Sequence, residues 1–112
     1  MWLFRNNRAL QKLFRAALPY SLSAAALPSY PGAEAAARNG TRTGGDARNR
    51  SHLEGRARSS APAALEALAY DPQTSGGLLA AVSPTDARRL ESEAGFVTIG
   101  EVVAGTAGVS LS

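Results

Sequence analysis

The segment "SPTDARRLESEAG", residues 83 to 95, constrains the fold of this chain more than any other, because it carries both a helix start and a helix stop. Ser83 offers a hydroxyl cap, Pro84 suits the first helical position, and Asp86 places an acid in the first turn. Gly95 supplies the stop. On its amino-terminal side runs "LLAAV", a continuous apolar stretch of strand length that reads as a buried strand. On the other side "FVTIGEVV" alternates, with Phe96, Thr98 and Gly100 on one face and Val97, Ile99 and Glu101 on the other. Gly100 marks the place for a bulge. A Gly-rich turn then leads into "GVSLS", a short last strand. A helix bracketed by strands has to pack its apolar stripe on their sheet, so the expected fold class is α/β (α+β), a mixed sheet backed by helices.

Earlier elements fit the same scheme. Gly32 opens "AEAAARN", a short alanine-rich helix stopped at Gly40. "APAALEALAY" places Leu65 and Leu68 on one side of a second short helix, which Pro72 ends, pushing Asp71 towards an extended conformation. Between them "TRTGGDARNRSHLEGRARSS" is polar, contains glycine and shows no apolar periodicity. It is expected to be a long surface loop over residues 41–60. Much of the 45% apolar content is alanine, so the core must rest on few large side chains.

Residues 1–22 differ from the rest. Arg5, Arg8, Lys12 and Arg15 lie there with no acid, while Leu3, Leu10, Phe14 and Leu18 fall roughly at helical spacing. The segment reads as a basic amphipathic leader. It is either a helix for an anionic membrane surface or organelle targeting, or a partly ordered extension, the reading preferred here. No apolar run approaches the roughly 20 residues of a spanning helix, and the expected location is cytoplasmic. The expected division is a leader at 1–22 and one domain at 23–112.

Several functions are excluded at once. There is no cysteine, hence no disulfide, thiolate metal site or cysteine nucleophile, and the single histidine, His52, rules out a multi-histidine metal site. The net charge of +3 comes from the leader: without its four cations, eight arginines face nine carboxylates. Such a body offers no basic face for nucleic acid, and none is expected as a partner. Nor is there a P-loop lysine motif.

The stretch "DPQTSGGLLAAV", residues 71 to 82, is a shaped loop feeding the first strand. Gln73, Thr74 and Ser75 bring an amide and two hydroxyls, and the amides near Gly76 and Gly77 make a small nest for a phosphate oxygen. The competing reading is a turn set by Pro72 in which the glycines let the backbone pass close to a neighbour. Arg48 and Asn49, beside Arg50, are candidates for phosphate contact, against a solvated loop. His52 beside Glu54 reads as a solvated pair rather than a proton relay, and Thr74 and Ser75 lack an adjacent histidine base.

"DPQTSGGLL", followed by "AVSPTDARRL" and "IGEVV", resembles the carboxyl-terminal part of the selenide, water dikinases, or selenophosphate synthetases. Upstream, "LPSYPGAEAAARNG" and "GGDARNR" resemble that family's proline-glycine-alanine stretch and its glycine-glycine-threonine-x-x-asparagine element. The resemblance runs from about Ala24 to Leu111. It implies the carboxyl-terminal domain of the aminoimidazole ribonucleotide synthetase superfamily, incomplete here, and ATP-dependent synthesis of selenophosphate from selenide with Mg²⁺, releasing AMP and phosphate. It also implies that the catalytic cysteine or selenocysteine, its lysine and the aspartates for ATP and Mg²⁺ lie mainly in an amino-terminal kinase domain. None of these is in the present residues, so no catalytic or metal-binding residue is assigned, and Gln73, Thr74, Ser75, Gly76, Gly77, Arg48 and Asn49 stand as cleft-wall candidates. The implied partners are that kinase domain, selenide, ATP and a second copy in a homodimer. Asp46 departs from the pattern by setting a carboxylate where the family has threonine. The expected function is that of a domain fragment inactive alone, the alternative being a non-catalytic binding or scaffolding domain of the same fold.

Overall fold

The computed structural model describes residues 2–4, 19–72 and 79–112, and for 2–4 the backbone alone. The elements run β1 (Trp2–Phe4), β2 (Pro19–Leu22), a single 3-10 turn (Ala24–Ala26), α1 (Ala33–Arg38) and α2 (Gly44–His52). Then come β3 (Ala57–Ser59), α3 (Ala63–Tyr70), β4 (Leu79–Ala81), α4 (Pro84–Ala94), β5 (Val97–Val102) and β6 (Gly108–Leu111). The six strands form one mixed sheet in the order β3-β6-β2-β5-β1-β4. β2 and β3 run parallel to β6, and the other pairings are antiparallel. A mixed sheet with helices is the α/β arrangement expected from the sequence.

α4 is built as its sequence dictates. The Asp86 backbone N–H donates to Ser83 Oγ at 3.2 Å, Pro84 opens the helix, and Gly95 closes it at φ 64°. Ala87, wholly buried, turns its methyl inward where the helix meets β1 and β5. The register of β5 against β1 slips by one residue, Trp2 facing Gly100 while Leu3 faces Thr98. The irregularity falls beside Gly100, as expected. A Cβ there would lie 2.1 Å from the Ser21 carbonyl oxygen, so glycine is required by close approach of β2.

The core is small in large side chains. Tyr20, Leu22, Leu53 and Ile99 are the biggest fully buried ones, joined by Val109, Leu111, Tyr70, Ala24 and Ala69, with partly buried neighbours such as Leu27, Leu65 and Leu79 around them. Each such side chain contributes about 1.5–3 kcal/mol on burial. A second cluster forms where α1 lies on α3, through Ala37, Ala64 and Ala67, with Leu68 against it.

Four expectations need correction. Residues 41–60 are not a long loop: they contain α2, the buried Leu53 and β3. Apolar periodicity failed there because the inward stripe of α2 begins with the polar Asp46 and Asn49 before Leu53, at helical spacing, with Asp46 Oδ1 bonded to Arg50 and the Asn49 amide to the Tyr70 carbonyl. "LLAAV" gives β4, which is only three residues long, borders the sheet and is half-buried to exposed, not a buried strand. Leu65 and Leu68 do not face one core, since Leu65 packs on the main cluster and Leu68 on the small one. Finally, the end of the leader is structural. β2 lies inside the sheet with Tyr20 2% and Leu22 1% exposed, and β1 also pairs within it, so the boundary after residue 22 cuts the body. The leader helix expected over the remainder, 5–18, lies outside the described residues.

Candidate functional site

The described start of the family-like stretch "DPQTSGG", Asp71 and Pro72, meets the family-like stretch "GGDARNR". α2 begins at Gly44, and the first residues of α2 lie against the end of α3, where Tyr70, Asp71 and Pro72 leave the helix. Pro72 cannot continue α3, and Asp71 takes φ −64°, ψ 126°, the extended conformation that a following proline favours. Three contacts fix this junction. A Cβ on Gly45 would lie 2.4 Å from Pro72 Cγ, so the second glycine is there for close approach of helix and ring. The Thr43 hydroxyl donates to Asp71 Oδ1 at 2.8 Å, and the buried Asn49 amide donates through Nδ2 to the Tyr70 carbonyl at 2.7 Å.

Arg50 locks the other side. Its Nε donates to Asp46 Oδ1 at 2.8 Å, its Nη1 pairs with Glu66 of α3, and its guanidinium lies 4.3 Å from the centroid of the Tyr70 ring. Burial works to lower the Arg50 pKa, but its hydrogen bonds to Asp46 and Glu66 outweigh that and raise it. The hydrogen bond from Arg50, followed by one from Ser59, holds the Glu66 carboxyl below its ordinary range. The Tyr70 phenol is pushed up, first by burial and then by the Glu66 charge. This cluster is a clamp between α2 and α3.

Beside the clamp, α1, α2 and α3 enclose a cavity of about 170 Å³. Its floor includes Ala37, Ala67 and Leu68, and its polar wall includes Thr43, Asp46 and Asp71. Asp46 is 9% exposed, and its Oδ2 is buried without a hydrogen-bond partner among the described residues. Arg42 also borders the cavity, but its Nη1 donates to the Ala37 and Thr41 carbonyls, both at 2.8 Å.

The structure brings some of the sequence candidates together and separates others. Asn49 is buried at the junction, whereas Arg48 is exposed on α2 with no ion pair among the described residues. His52 and Glu54 are exposed. Gln73, Thr74, Ser75, Gly76 and Gly77 lie outside the described residues. The described residues of the junction do not fit ATP with Mg²⁺. No group of three potential metal ligands occurs among the described residues, Arg50 is engaged by two carboxylates, and Asp46 and Asp71 present negative charge to a phosphate. Sequence reasoning missed Thr43, Asp71 and Glu66 as parts of the junction. The only signal for the clamp was Asp46 and Arg50 at i,i+4 spacing.

No protein-family model matches the chain. Two curated proteins do. The selenide, water dikinase of Citrifermentans bemidjiense is 37% identical over 89 residues, covering 80% of this chain and 26% of the relative. The selenide, water dikinase of Geobacter sp. strain M21 is also 37% identical over 89 residues, with the same shares. The resemblance drawn from the "DPQTSGG" and "GGDARNR" stretches is thereby borne out: over four-fifths of its length this chain is similar to the selenide, water dikinases, and it spans about a quarter of the length of those curated relatives.

Proposed function

We propose that the chain serves as the carboxyl-terminal domain of a selenide, water dikinase and has no catalysis of its own. In this reading an amino-terminal kinase domain holds ATP and Mg²⁺ and carries out selenophosphate synthesis from selenide, in the cytoplasm and as a homodimer. The present domain forms one wall of the cleft. One observation carries the reading: the described start of "DPQTSGG" lies on "GGDARNR", Gly45 against Pro72, with Thr43 just before that stretch donating to Asp71. α2 therefore sets the point from which "QTSGG" departs, and positioning is most of what phosphoryl transfer asks of a protein. Among the described residues no helix is long and apolar enough to cross a membrane.

The test measures selenide-dependent AMP release by the full chain alone and after addition of a separately expressed amino-terminal domain of a selenide, water dikinase. The chain alone is expected to release none above a protein-free control, and the mixture to release more than the added domain by itself. AMP release by the chain alone would overturn the inactive-wall reading. A complex that forms without raising turnover would favour the scaffolding alternative.

A further inference from the structure

On the sheet border formed by β3, the loop between β5 and β6 is tied at both ends. The Val103 amide donates to the Pro19 carbonyl at 3.1 Å, and the Val109 amide to the Arg56 carbonyl at 2.9 Å. Between these ties the amides of Ala104, Gly105, Thr106 and Ala107 have no hydrogen-bond partner among the described residues, and all four residues are exposed. Gly105 sits at φ 140°, a conformation costly for other residues. A Cβ on Gly108 would lie 2.9 Å from the Arg56 carbonyl oxygen, so glycine lets the loop close down on the chain entering β3.

The loop forms one side of a groove of about 380 Å³ whose other walls include Tyr20, Arg56, Arg58 and Ser110. No lining residue is acidic. Arg58 is exposed and forms no ion pair among the described residues, in contrast to Arg38, Arg50 and Arg89. None of the lining residues borders the cavity at the α2–α3 junction. A guanidinium with no ion pair among the described residues, hydroxyls and a run of backbone N–H groups give the groove several donors and no carboxylate. Guanidinium groups match oxyanions in fork geometry, and successive amides of a glycine-containing loop form anion-binding concavities.

We propose that this groove binds a phosphate-type oxyanion, with Arg58 as the main charged ligand, Arg56 adding positive potential, and the amides of Ala104 to Ala107 as further donors. The phosphate arrives either free or as the end group of a small molecule. The site is independent of the proposed dikinase role, because it involves no residue of the junction.

The full-length chain, labelled with ¹⁵N, is titrated with inorganic phosphate, pyrophosphate and phenyl phosphate against chloride at matched ionic strength. Saturable shifts are expected in the amides of residues 104–108, with apparent affinity about tenfold or more weaker in Arg58→Gln, the loss appropriate to a charge-assisted hydrogen bond. Phenyl phosphate matching phosphate would identify a phosphomonoester as an acceptable source; pyrophosphate binding far more tightly than either would identify a diphosphate. Shifts that fail to saturate, that chloride reproduces, or that Arg58→Gln leaves unchanged while its spectrum stays folded would overturn the proposal.

Discussion

Replacing each of the paired glycines in turn by alanine separates the close-approach account from ordinary helix propensity. At Gly44 a Cβ would meet nothing within 4 Å. Gly44→Ala should therefore be neutral or stabilising, by at most about 1 kcal/mol from propensity and reduced unfolded-state freedom. At Gly45 the new Cβ would sit 2.4 Å from Pro72 Cγ, 3.1 Å from its Cβ and 3.2 Å from its Cδ. Carbon atoms prefer roughly 3.5–4.0 Å, so α2 and Pro72 must separate by about 1 Å. The pyrrolidine ring has no rotamer that relieves the contact. A shift of that size stretches the Thr43–Asp71 and Asn49–Tyr70 hydrogen bonds, now 2.8 and 2.7 Å, beyond useful length. Overpacking costs about 1–3 kcal/mol and each weakened bond about 1 kcal/mol, less up to about 1 kcal/mol regained in propensity, so Gly45→Ala should lose roughly 2–4 kcal/mol. At about 4–8 °C per kcal/mol for a domain near this size, the midpoint should fall by roughly 10–30 °C. Thermal and urea unfolding of the two variants, checked for a single cooperative transition, measure this. A Gly45→Ala variant within about 0.5 kcal/mol of Gly44→Ala, a difference at the level of ordinary surface substitutions, would refute the account.

Gly100→Ala should be worse, because its Cβ would meet two backbone atoms, the Ser21 carbonyl oxygen at 2.1 Å and Leu22 Cα at 2.9 Å; loss of a cooperative transition in circular dichroism is expected, and wild-type stability would refute the packing. Removing residues 1–22 deletes Tyr20 and Leu22 from the core and β2 from between β5 and β6, so the truncated chain should lose cooperative unfolding, and a wild-type melt would contradict the topology. Glu66, held below its ordinary range by Arg50, contributes stability that is present above the ordinary glutamate value near 4.3 and lost as pH falls through its depressed folded value. Glu66→Gln should therefore lower stability at pH 7 and flatten the acid limb of the stability profile, and an unchanged limb would show the pair to be unimportant.

What the sequence revealed followed the strength of its local signals. α4 was legible because cap, proline, acid and terminal glycine all agree, and the structure bonds Asp86 to Ser83 as written. α1 was legible through Gly32 and Gly40, the latter at φ 89°. α2 was not, because periodicity reading weighs side chains by polarity, and Asp46 and Asn49 are buried by virtue of partners far along the chain or on a neighbouring turn. β2 was hidden because Tyr20 and Leu22 alternate over only four residues beside a basic segment that dominated the reading. For the site, the resemblance located both stretches, and the structure added that they touch. The contact is invisible in the sequence because a glycine's role depends on what approaches it: Gly44 and Gly45 are adjacent and identical, yet only one faces Pro72.

Charge shows the same dependence on topology. Outside the leader, eight arginines nearly balance nine carboxylates, and that near-neutrality argued against a basic face for nucleic acid. An average over the chain says nothing about where the charges end up. The clamp draws Arg50 between Asp46 and Glu66 and leaves Asp71 beside the cavity, so the described part of the junction carries carboxylates towards its opening. β3, pairing in parallel with β6, carries Arg58 to a groove whose lining residues include no acid. Coulomb interactions between exposed groups fade over about 10 Å at 0.1 M salt, so each locality is governed by its own few charges and not by the total. A phosphate approaching this domain therefore meets repulsion at the described junction and attraction at the β5–β6 loop. An excess of positive residues in composition was never the requirement; one guanidinium without a carboxylate partner, beside amides without carbonyl partners, among the described residues is enough to set the preference.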